Sequence, residues 1–65
     1  MWREEIEQMK SLLAEESFCE QAEQDAILGG FDAAGWFYKK LQISREYLEI
    51  SKKVPVEVKR RNHLY

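Results

Sequence analysis

Residues 32–53 read DAAGWFYKKLQISREYLEISKK, and this stretch decides the fold. It is the longest segment with helical periodicity, and it holds four of the chain's eight aromatic residues. At roughly 100° per residue its apolar positions form two edges of a wide arc. Ile43, Ile50, Trp36, Tyr47 and Val54 lie along one edge; Phe37, Leu48, Leu41 and Ala34 lie along the other. Between them run the small residues Ala33, Ser44 and Ser51, with Lys40 the one long side chain on that line. Lys39, Gln42, Arg45, Glu46, Glu49 and Lys53 are left for solvent. The arc spans about 200°, roughly twice the stripe a surface helix needs. The pattern therefore predicts a helix wedged between two or more neighbours.

The punctuation around the stretch predicts a helical hairpin. Gly29-Gly30 supplies the left-handed conformation common just past a helix end. Asp32 suits the N-cap, and Phe31 and Trp36 have the spacing of a hydrophobic staple. A tight turn before a capped helix implies antiparallel neighbours. Upstream, Trp2, Ile6, Met9 and Leu13, widened by Leu12, predict a helix over 2–16. Extending that phase would bury Glu16 and Glu20, whereas Phe18, Cys19, Ala22 and Ala26 fall nearly opposite. Ser17 and Glu20 have capping-box spacing, so the expected division is a break near Ser17 and a second helix over 18–28. The alternative is one long helix whose buried face changes partner. Pro55 stops the third helix at about residue 53. Residues 54–65 are expected to form an extended or weakly ordered basic tail, with an edge strand or a helical turn started by Pro55 as alternatives.

Sixty-five residues make one domain with a marginal core, which usually needs a disulfide, a metal or association. The lone Cys19 excludes an internal disulfide, and one His without metal-ligand spacing predicts no metal and no cofactor. Self-association or a partner is then the expected support. No apolar run approaches the ~18 residues of a membrane span, and the acidic N-terminal stretch does not read as a signal peptide. A soluble cytoplasmic protein with no membrane contact is expected. Net charge is −2, divided unevenly. Residues 1–32 carry nine acids and two bases, a net −7; residues 33–65 carry eight bases and three acids, a net +5. Acidic and basic helices lying together account for this more simply than a nucleic-acid contact.

The catalytic inventory is thin. Cys19 and His63 are the only nucleophile–base pair of the usual kind, and Cys19 beside Phe18 reads as a packed residue. Glu4/Glu5 and Glu15/Glu16 read as a solvated helix face. Gly29, Gly30 and Gly35 lack the register of a phosphate cradle. A helix-turn-helix reading fails because Ala33, Ala34, Gly35, Trp36 and Phe37 would open the recognition helix with apolar side chains.

The expected fold is thus all-α: a hairpin of two or three helices over 1–53 that dimerises into a helical bundle, with a basic tail. The expected role is a small non-enzymatic protein–protein interaction module, an adaptor, assembly factor or inhibitor, with no catalytic residues. Trp36, Phe37, Ile43, Tyr47 and Ile50 are the expected protein interface, and Lys52, Lys53, Lys59, Arg60 and Arg61 the contact for a charged partner. The runner-up is a nucleic-acid-binding regulator that uses the basic half, with His63 and Tyr65 interleaved for stacking, of the kind small viral or mobile-element genes encode.

Overall fold

A computed structural model of the chain describes residues 1–64, 81% helical and without strands. The helices are α1 (Arg3–Leu28), α2 (Ala34–Lys53) and α3 (Val56–Arg61). The two long helices pack together as a hairpin measuring 45 × 17 × 16 Å. The radius of gyration, 13.9 Å, exceeds the roughly 11 Å of a compact chain this long, so the molecule is a rod.

The break expected at Ser17 is absent, because α1 runs unbroken through it. The reason is the period of the seam. Trp2, Met9, Leu12, Glu16, Cys19, Glu23 and Ala26 are buried or half-buried, and from Met9 onward they recur at alternating spacings of three and four. That is the 3.5-residue repeat of helices that wind around one another, not the 3.6 of a straight helix. The seam therefore passes through Leu12 and Cys19 and leaves Leu13 outside. Ser17 and Glu20 lie exposed in mid-helix, away from any helix start. Helix α2 follows the same rule, with Ala33, Trp36, Lys40, Ile43, Tyr47, Ile50 and Val54 turned inward.

Two apolar clusters lie along the seam. Leu12, Cys19 and Ile43 form one, with Trp36 packed against it. Ile6, Met9, Val54 and Leu64 form the other, with Trp2 and Val58 against it. Tyr47 and Ile50 touch both. Among the described residues every buried side chain is apolar.

The hairpin turn closes as the glycines require. Gly30 adopts φ +78° and donates its amide to the Ile27 carbonyl at 3.1 Å, while Phe31 donates to Ala26 at 2.8 Å. This pair of bonds is the Schellman motif, with glycine in its left-handed position. A Cβ on Gly29 would meet the Phe31 ring at 2.9 Å, so the second glycine makes room for that ring. Asp32 caps from just outside α2: its Oδ1 accepts the Ala34 amide at 2.9 Å. Trp36 makes its ring contact with Phe18, edge to face at 6.1 Å, in place of the expected staple on Phe31.

The extended tail is also corrected. Pro55 holds φ −59° and starts α3 over Val56–Arg61. A second Schellman turn follows: His63 sits at φ +58°, its amide bonded to Arg60, while the Leu64 amide reaches the Lys59 carbonyl at 2.9 Å. Val54 and Val58, four apart, both face the cluster at the base of the hairpin. The turn returns Leu64 to the base of the hairpin. Tyr65 lies outside the described residues.

Candidate interaction surface

Lys40 and Glu23 form an ionic layer in the seam. Lys40 Nζ approaches Glu23 Oε1 at 2.9 Å, with both side chains largely shielded. The hydrogen bond to Glu23 raises the Lys40 pKa, partial desolvation opposes it, and the charges of Glu23, Glu20 and Glu16 add to the rise. The acids that broke the apolar stripe of α1 and the lysine that broke that of α2 thus answer each other. A lysine held above its unfolded value stabilises the fold fully below that value, about 10.4, and loses the contribution as pH climbs through the raised value. The stability gap between wild type and Lys40→Met is therefore expected to stay constant from neutral pH to about 9 and to close above 10.4. Urea titrations across that range check it; a gap that closes at acid pH instead would assign it to the carboxylates.

The five residues expected at a protein interface divide sharply. Ile43 is buried in the chain's own core, and Trp36, Tyr47 and Ile50 are half-buried around it. The Tyr47 hydroxyl donates to the Leu64 carbonyl at 3.1 Å. Phe37 alone stands out from the body, 52% exposed. One edge of the α2 arc has thus been used inside the molecule. The other edge, Phe37, Leu41 and Leu48, remains on the surface, 44–57% exposed. Leu41 and Leu48 lie outside the expected set of five; the signal that finds them is their common line with Phe37, within about 40° around the helix.

Further apolar side chains gather toward the turn. Phe18, Ile27, Leu28, Phe31 and Tyr38 are all exposed there. At the opposite end α3 and Leu64 close over Ile6, Met9 and Val54. The hairpin is therefore covered at its base and apolar outside toward its turn.

The basic residues are similarly divided. Lys59 is half-buried and donates from Nζ to the Ser51 carbonyl at 3.1 Å and to Ser51 Oγ at 3.0 Å, which ties α3 to α2. Lys52 and Lys53 end α2, and Arg60 and Arg61 end α3, all four at the surface. There they also complement the negative ends of the helix dipoles. On α1 and α2 an open groove is lined by Glu4, Glu7, Glu46 and Glu49 above Leu12 and Ile50.

Among the described residues no group of His, Cys, Asp and Glu is placed to hold a metal ion, and no helix is long and apolar enough to cross a membrane. Comparison of the chain with protein-family models, with curated proteins and with solved structures gave no significant match.

Proposed function

We propose that this chain is a small non-enzymatic interaction module that works by covering a partner's surface with the outer face of α2. One observation carries the reading: Phe37, Leu41 and Leu48 line up outside a helix whose inner face is already packed. Such aligned apolar side chains at i, i+4 and i+11 are how an amphipathic helix presents itself to a groove or to another helix. Lys52, Lys53, Arg60 and Arg61 supply a cationic rim for an acidic partner surface. Lys59, anchored on Ser51, holds that rim in place.

The test is photo-cross-linking in cells with a photoreactive residue at position 41, compared with one at Gln42, exposed on another side of α2. A protein adduct from position 41 and none from position 42 is the expected result. Equal labelling, or none from either, defeats the proposal. Nucleic-acid adducts from positions in the cationic rim, with none of protein at 41, would put the nucleic-acid reading in its place.

A further inference from the structure

We infer that the Lys40–Glu23 layer is a pairing code: it commits α1 to lie against α2 and bars either helix from closing on a copy of itself. This holds whatever partner the outer face of α2 takes.

The apolar part of the seam carries no such instruction. Met9, Leu12 and Cys19 on α1 and Ile43, Tyr47 and Ile50 on α2 recur at the same 3.5-residue period. Apolar contact is non-directional, so these stripes alone do not distinguish an α1 neighbour from an α2 neighbour. The five-residue turn gives the helix of the same chain an advantage in effective concentration. The charges add a chemical one.

The signs are sorted by helix. The charged residues half-buried on α1 are Glu5, Glu16 and Glu23, all carboxylates, whereas the charged residue half-buried on α2 is Lys40. Two α1 helices closed on each other would shut carboxylates into a seam that holds no cation. Two α2 helices would shut in ammonium groups with no acid. Only α1 against α2 brings the signs together, and there Lys40 Nζ meets Glu23 Oε1 at 2.9 Å. Shielding gives the mismatch its force. The two side chains are 24% and 17% exposed, so a charge left unmatched at this level loses much of its water and gains no partner.

A shielded ion pair of this kind adds little stability over an apolar pair of similar size, because desolvation offsets the attraction. What it supplies is a difference between right and wrong neighbours, as a single polar layer does in coiled coils. A foreign helix that came to lie in place of α1 would likewise need a carboxylate at the level of Glu23.

The test uses single charge reversals. Glu23→Lys and Lys40→Glu each set like charges across the seam, and each protein is expected to unfold at least about 1 M lower in urea than wild type. Mixed in equal amounts, the two restore opposite signs only by exchanging helices, α1 of one against α2 of the other. Light scattering on a sizing column, with reductant present, should then show a 1:1 species of twice 7.8 kDa that neither protein gives alone. Both reversals in one chain rebuild the layer within it, and that protein should match wild type in mass and midpoint. Glu23→Leu with Lys40→Leu should resist urea at least as well as wild type and yet spread to higher masses. Single reversals as stable as wild type, or a mixture that stays two separate species, overturn the inference. So does a double-leucine protein that keeps the wild-type mass profile, or one less stable than wild type, which would assign the layer to stability instead of choice.

Discussion

Met9→Ala is expected to remove about 2–5 kcal/mol, a large share of the protein's stability. Met9 is fully buried, enclosed with Ile6, Val54 and Leu64. Truncating such a side chain removes its transfer free energy and leaves a cavity, about 2–5 kcal/mol together. A domain of this length has only about 3–10 kcal/mol to lose. Met9 lies at the centre of that cluster, with Trp2, Tyr47, Ile50 and Val58 packed around it, so its removal is felt by both long helices and by α3. Urea denaturation followed by circular dichroism, at one fixed protein concentration because association would add stability, measures the change. Leu13→Ala is the control. Leu13 belongs to the same stripe in the sequence but lies outside the seam, 39% exposed. Its truncation should cost under about 1 kcal/mol. Equal losses at the two positions would show that the seam does not pass through Leu12 as described.

Leu64→Ala is expected to cost about 2 kcal/mol, the low end for a buried leucine because α3 can shift to take up part of the gap. The prediction has force because a loose tail would make this substitution silent. Leu64 closes the cluster at the base of the hairpin, and its carbonyl receives the Tyr47 hydroxyl. Losing the side chain should loosen α3 before it affects the long helices. Amide exchange is the direct measurement: the bonded amides of Lys59 and Leu64 should lose protection first, and those around Cys19 last. Uniform loss across all three helices would mean that α3 is not a separate cap but part of one cooperative unit.

Much of the architecture was legible from a few residues. Gly29, Gly30 and Asp32 marked the turn, and Pro55 marked the end of α2, because each acts locally through backbone conformation or a missing amide. What escaped was set by neighbours. Glu16 and Glu20 looked like a broken stripe as long as Lys40, bonded to Glu23 and drawn by their charges, had no known place near them. Leu12 and Leu13 are adjacent leucines, and only the pairing of two helices at a 3.5-residue period selects the first. The α3 cap was hidden because His63 occupies a left-handed position that composition does not advertise. For the candidate surface, the arc of α2 showed two apolar edges; which one faces inward depends on where α1 lies, and that places Ile43 and Tyr47 inside and Phe37 outside.

The position of Cys19 gives the molecule a chemical clock. Its sulfur is sealed between the two long helices beside Leu12 and Ile43. A thiol-modifying reagent can reach it only after the helices part, so labelling reports the open fraction of the rod, and at reagent concentrations high enough to outpace reclosing it counts the openings. Oxidants in the surroundings act on the folded chain through that same gate. The lifetime of the reduced sulfur is then lengthened by the fraction of time the hairpin stays closed, whatever the oxidant.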